Sequence, residues 1–250
     1  MPSKIALITG SGKKRVGQHV AEALAERGWS IAVHYRSSAA EAAETVTGLQ
    51  KLGVEAAAFQ ADLSDEQAVK KLVADALVRF GRLDALVNCA AIWQRKRLED
   101  VTAADVRRHF EINTLGTFLC CQHVGLAMVA QPDGGCIVNF GDWAEVRPYL
   151  NYAAYFPSKG AVTTMTRSLA VELASRNPRV RGNCILPGPV MLPPDLSAEE
   201  RQHSIAGTLV QREGSPRNIA LAVLHFLEND FVTGACLPVD GGRSVYAPDS

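Results

Sequence analysis

No run in the 250-residue sequence approaches eighteen uninterrupted apolar residues, so no membrane-spanning segment is expected. The opening MPSKIALITG is too short in its apolar part to serve as a signal h-region. Excess charge is lacking too. The 26 basic residues are matched by 26 acidic ones, so the chain as a whole attracts neither nucleic acid nor an anionic membrane, and any anion site must be local. The six cysteines (Cys89, Cys120, Cys121, Cys136, Cys184, Cys236) form no C-x-x-C and sit in apolar runs, and the six histidines form no H-x-x-x-H. Buried free thiols in a reducing, cytoplasmic setting are expected, with no metal site. Nor does any Pro-, Gly- or Ser-rich linker or repeat divide the chain, which points to one domain over residues 1–250. What is present, 47% hydrophobic and 21% charged residues, is the composition of a packed globular protein. Its partner is expected to be a small molecule.

Seven short apolar runs lie at residues 5–8, 31–35, 54–59, 85–87, 136–140, 180–186 and 235–239. They lack in-out alternation, as strands covered on both faces do. Stretches such as VAEALAERG and EQAVKKLVADALVRFG stand between them with apolar positions three or four apart. The alternation predicts an α/β fold, a doubly wound parallel sheet of about seven strands with helices on both faces. Gly28, Gly53 and Gly81 are placed to end helices, and Ser64 with Gln67 reads as a capping box opening the third helix. Prolines crowd residues 187–194, so an extended surface loop is expected there, within a substrate loop near 187–213.

The first run leads into Gly10-Ser11-Gly12-Lys13-Lys14-Arg15-Val16-Gly17 and then a helical pattern. Glycines let the backbone approach an anion, and the helix N-terminus supplies unpaired N–H groups. Gln18-His19 follow, not Lys-Ser/Thr, so this is not a nucleotide triphosphatase loop. The second run ends His34-Tyr35-Arg36-Ser37-Ser38, without the acid that would accept a ribose 2′-OH. Arg36 and Arg15 instead suit a 2′-phosphate, which favours NADP(H) over NAD(H).

With these segments, Ala61-Asp62-Leu63, Asn88-Cys89-Ala90-Ala91, Asn113 in FEINTLGTF, Tyr155-x-x-x-Lys159 and Pro187-Gly188 follow in order. Together they resemble the short-chain dehydrogenase/reductase family over nearly the whole chain. The resemblance implies a Rossmann-type sheet. It sets Asp62 and Leu63 against the adenine, Asn88 and Ala90 along the cofactor, and Pro187, Gly188 and Val190 near the nicotinamide. Asn113 would hold a water in a proton relay. The family's dimers and tetramers imply a homo-oligomer, to which Val239-Asp240-Gly241-Gly242 and the following tail would contribute. The glycine loop departs from the pattern by one extra residue between Ser11 and Lys14.

Tyr155 and Lys159, at i and i+4, share a helix face. A nearby ammonium and an oxidised nicotinamide should both lower the phenol's pKa and make Tyr155 an acid or base. Asp142, thirteen residues earlier, occupies a place where most of the family has serine. An ionised carboxylate only accepts hydrogen bonds, so it suits a substrate with N–H groups; a protonated one can donate. This arrangement resembles the pteridine reductase branch, as does the segment from His34 to Ala42. Trp93 stands where that branch stacks an aromatic on the pterin ring, while Ala91 replaces its common serine. The resulting expectation is NADPH-dependent reduction of a pterin- or folate-like C=N system. Reduction of a ketone, sugar or quinone is the alternative within the family, and a non-catalytic NADP(H) sensor or scaffold the alternative outside it.

Overall fold

The computed structural model describes residues 3–192 and 196–246. Seven strands make one sheet: β1 (Ile5–Thr9), β2 (Ser30–Tyr35), β3 (Ala56–Gln60), β4 (Ala85–Asn88), β5 (Gly135–Phe140), β6 (Val180–Pro187) and β7 (Cys236–Val239). All pairings are parallel, in the order β3-β2-β1-β4-β5-β6-β7. Each of the seven apolar runs is a strand, with ends moved by a residue or two. The helices are α1 (Val16–Ala25), α2 (Ala39–Lys51), α3 (Glu66–Phe80), α4 (Ala103–His109), α5 (Gly116–Val129), α6 (Tyr155–Ala174), α7 (Ala198–Ala206) and α8 (Pro216–Glu228).

The sheet has an apolar layer on each face. On one, Val20 and Leu24 of α1 and Ile219, Val223 and Phe226 of α8 pack on Ile8, Val33 and Val138. On the other, Leu72 of α3, Val124 and Met128 of α5 and Leu173 of α6 pack on Leu7, Leu86 and Ile137. Alternate residues of one strand therefore serve opposite cores, which is why the runs show no in-out alternation. The strand order reverses beside β1, and the carboxyl ends of β1 and β4 (Thr9 opposite Asn88) open a crevice there.

Gly28, Gly53 and Gly81 have φ of 80°, 85° and 79°, the left-handed geometry that follows a helix. The expected Ser64–Gln67 capping box is not what opens α3. Asp65 is the N-cap, its carboxylate accepting from the Gln67 N–H at 2.8 Å and from that of Ala68, while Ser64 Oγ donates to Asp62 at 2.7 Å. A carboxylate one residue nearer the helix reaches the first-turn N–H groups and also complements the helix dipole.

The helical run from α4 to α5 is interrupted by a π-helical turn, Phe110–Leu115, which contains Asn113. By length and apolarity the segment Ala103–Val129 would suffice to cross a membrane, but half of its most apolar window is buried against the rest of the protein. After β6 the chain bends, with the Val190 N–H donating to the Gly188 carbonyl at 2.8 Å and Met191 at φ 52°; Pro193 and Pro194 lie outside the described residues. The polar stretch beyond is not irregular. It forms α7, opened by a reciprocal Ser197–Glu200 box.

Candidate active site

A cleft of 1430 Å³ runs across the carboxyl tips of the strands. Gly10, Arg15, Val16, Gly17, Tyr35, Arg36, Ser37, Asp62, Leu63, Ala90, Trp93, Asp142, Tyr155, Pro187, Gly188 and Val190 all line it. Three expected site residues do not. Asn88, Asn113 and Lys159 are buried behind the wall, at 4%, 1% and 5% exposure.

At one end the glycine loop rests on β2. The Gly10 N–H donates to His34 Nδ1 at 3.0 Å, and His34 Nε2 lies 3.1 Å from the Ala61 carbonyl. Because Nδ1 accepts, the proton sits on Nε2 and donates to Ala61. Burial pushes this imidazole down to about 4, so His34 is neutral and its two bonds keep one direction. Gly10 has φ 67°, and a Cβ there would come within 3.0 Å of the Ala90 Cα. At the loop's exposed tip the Arg15 N–H turns back on the Lys13 carbonyl at 2.7 Å. Helix α1 begins with no side-chain cap and no acid in its first turn. Its N-terminus therefore faces the cleft with N–H groups and a partial positive charge, a donor set that fits the pyrophosphate of a dinucleotide. Arg36 is exposed at the tip of β2, and Asp62 is held ionised, its carboxyl lowered chiefly by the hydrogen bonds from Ser64 and also by Arg36.

The other end gathers the reactive groups. Tyr155, the first residue of α6, donates its hydroxyl to Asp142 Oδ2 at 2.8 Å. Asp142 follows β5 in extended geometry, and its Oδ1 accepts from the Ala144 N–H at 2.9 Å. Lys159 Nζ donates to the Phe140 carbonyl. The pKa of Tyr155 departs from expectation in sign: burial, then the charge and hydrogen bond of Asp142, raise it well above the ordinary value. The i, i+4 spacing reveals the ammonium but not the desolvation or the carboxylate, and those two prevail. Burial also raises the Asp142 carboxyl, against the pull of Ala144, Tyr155 and Lys159, and lowers the Lys159 ammonium, against the pull of Asp142.

The buried asparagines work from behind. Both polar groups of Ile92 are held by Asn113, whose Oδ1 accepts at 2.8 Å and whose Nδ2 donates at 3.0 Å, with a further bond to Ser158 Oγ at 3.0 Å. The amide expected to hold a water is thus engaged by backbone and serine. Asn88 Nδ2 donates to Asn139 Oδ1 at 2.9 Å, tying β4 to β5 instead of facing the cleft.

Trp93 lies parallel to Tyr152, ring centres 4.9 Å apart, and remains 43% exposed. Its stacking partner among the described residues is Tyr152. Trp143 and Tyr149 also line this end, and the Arg243 guanidinium lies 4.7 Å over the Trp143 ring. Tyr149, Tyr152 and Arg243 carry no motif that marks them. Glu145 did leave a signal, because Asp142-x-x-Glu145 has the spacing of a capping box. The box forms: the Asp142 N–H donates to Glu145 Oε1 at 2.9 Å.

A family model described as enoyl-(acyl carrier protein) reductase matches residues 11–244. A 3β-hydroxysteroid dehydrogenase of Eggerthella lenta is 31% identical, the match covering 98% of this chain and 95% of that protein. The crystal structure of an acetoin dehydrogenase from Enterobacter cloacae superposes with TM-score 0.88 at 32% identity, covering 99% and 98% of the two chains. A xylitol dehydrogenase bound to NAD+ superposes with TM-score 0.87 at 29% identity, covering 96% and 99%.

Proposed function

The chain belongs to the short-chain dehydrogenase/reductase family, oxidoreductases that use a nicotinamide cofactor, and from that premise we propose that it reduces a carbonyl group on a cyclic small molecule with NADPH. The observation that carries this reading is the 2.8 Å contact between Tyr155 and Asp142, with burial holding the phenol neutral. Bound NADPH supplies hydride to the carbonyl carbon. Tyr155, as a phenol, supplies the proton to the oxygen. When Asp142 is protonated the proton sits on Oδ2, because Oδ1 accepts from Ala144. Oδ2–H then donates to the Tyr155 oxygen, the tyrosine hydroxyl is released to the substrate, and the carboxyl restores the proton that Tyr155 gives up. Lys159 and Asn113 act by position, the first through Phe140 and the second through Ile92.

Preference for NADPH is supported by Arg15 and Arg36 at the mouth of the cleft and by the absence of an acid at the tip of β2. A ring in the substrate is supported by the half-exposed Trp93 on the cleft wall and by Trp143 and Tyr149 nearby. The relatives named for hydroxysteroid and acetoin dehydrogenation favour a carbonyl–alcohol pair.

A second reading, reduction of a pterin-like C=N system, is favoured by Asp142 itself, since an ionised carboxylate there would accept from ring N–H groups. The two separate on one variant, assayed by NADPH oxidation with cyclic ketones and with oxidised pterins. Under the carbonyl reading Asp142→Ser keeps ketone turnover, because a hydroxyl donates directly to the substrate oxygen. Turnover confined to pterins and lost in Asp142→Ser would refute it.

A further inference from the structure

We propose that Arg243 is a specificity-determining residue that binds a carboxylate carried on the substrate ring, so that the preferred substrate is a cyclic keto acid. The inference deepens the carbonyl-reducing function proposed above and rests on it.

The arginine is held in place before any ligand arrives. In the turn after β7, Asp240 Oδ1 accepts from the Gly242 N–H at 2.9 Å and Oδ2 from the Ser244 N–H at 2.6 Å. The Arg243 N–H donates to the Asp240 carbonyl at 3.3 Å, and the Arg243 carbonyl accepts from Arg147 Nη1 at 3.0 Å. The side chain then reaches two walls of the cleft. Its guanidinium lies 4.7 Å over the Trp143 ring, and Nη1 donates to the Ser204 carbonyl of α7. Gly207 makes room for it: a Cβ there would lie 2.8 Å from Arg243 Cζ. The φ of Gly207, −73°, suits any residue, so it is the arginine and not the backbone that calls for glycine.

The groups left over point to a ligand. Of the guanidinium nitrogens Ser204 engages Nη1 alone. Nε and Nη2, the pair that forms a side-on fork, have no partner among the described residues, and neither is shut away in protein. Nor does Arg243 form an ion pair with a described carboxylate; Asp240, the one in electrostatic range, spends both oxygens on the turn. Burial is the chief cause lowering the Arg243 pKa, with Arg147 acting the same way and Tyr149 and Asp240 opposing. A cation partly withdrawn from water and without an ion pair gains from an incoming anion. The place is right for a substrate group. Arg243 lines the cleft with Trp143 and Tyr149, at the end away from Arg15 and Arg36, and Trp143 directly follows Asp142. A carboxylate matches the fork in shape, with two oxygens in one plane, and in charge. A phosphate dianion would bring a second negative charge close to Asp240.

The test follows NADPH oxidation with an oxocyclohexane carboxylate and with its primary amide, in the parent and in Arg243→Met. The parent should favour the carboxylate. Arg243→Met should raise the KM for the carboxylate about ten- to a hundredfold, with kcat and both constants for the amide unchanged. Arg243→Lys, which keeps the charge without the fork, should fall between the two. A purely structural role would lower the melting temperature and impair both substrates equally, and that result would overturn the proposal. Calorimetric binding of benzoate and benzamide to the protein with NADPH bound needs no turnover. Benzoate should bind more tightly and lose that advantage in Arg243→Met; an advantage that survives the substitution would overturn the proposal. If neither ketone is reduced, the function proposed above fails while the benzoate comparison still decides this inference. Should Arg243→Met not fold, the parent decides alone, and benzoate no tighter than benzamide overturns it.

Discussion

Acidification should weaken the protein through His34 before it touches most carboxylates. The imidazole titrates near 4 in the folded chain against 6.5 when unfolded, so between those values the unfolded chain binds a proton that the native state refuses. Stability is complete above the unfolded pKa, falls as pH drops below 6.5, and the loss is fully incurred near 4. From about pH 7 to about pH 5 the linkage amounts to about 2 kcal/mol, or roughly 4–8 °C in melting temperature for a chain of this length. The cause is local: protonation of Nδ1 would set a donor against the Gly10 N–H, on a side chain that is buried. His34→Asn removes the titration. It should cost about 1–3 kcal/mol near neutrality, because Gly10 or Ala61 loses its partner, yet its stability should change less over the same pH range. Asp142 and Glu145, both raised, act in the opposite direction but equally in parent and variant, so they cancel in the comparison. Urea unfolding at several pH values reads the difference. Parallel losses for parent and variant would refute the reasoning.

Two further expectations follow from the cleft and from the thiols. Arg36→Asp should weaken NADPH binding by about ten- to a hundredfold and spare or improve NADH binding, since a charged hydrogen bond is replaced by repulsion of the 2′-phosphate; equal loss for both cofactors, measured by fluorescence titration, would count against a 2′-phosphate at this place. Of the six cysteines, Cys236 should react first with iodoacetamide near neutral pH, because the hydrogen bond from Cys184 lowers its thiol while burial pushes those of Cys89, Cys120, Cys121 and Cys136 up; peptide mapping that found another cysteine labelled first would contradict it.

The sheet was legible because its signal is redundant. The central strands are mostly apolar on both faces, and a residue missed at an end leaves the pattern intact. The site was legible in its identities and less so in its physics. Spacing put Tyr155 beside Lys159, but the desolvation that keeps the phenol protonated belongs to β5, the turn after it and α6 packed together, which no local pattern reports. Asn113 was marked by the family resemblance, whereas the π-helical turn that brings its amide to Ile92 was not. Pro187 and the following prolines announced a loop, but the Ser197–Glu200 spacing that starts α7 was readable and passed over. Asp142-x-x-Glu145 was likewise present in plain sequence. It was obscured because the turn it caps is only three residues long.

The clamp of Asn113 on Ile92 and that of His34 on Gly10 bear on how such a protein can change. Each holds the main chain of one end of the cleft from the buried side, leaving the side chains that face inward free of structural duty. Trp93 follows directly after the residue that Asn113 secures, so the main chain that carries its ring is held independently of the ring's stacking on Tyr152. If Trp93 contacts the substrate as proposed, substrate preference and architecture would reside in different atoms of the same short segment, and mutation could explore the first while the second stands.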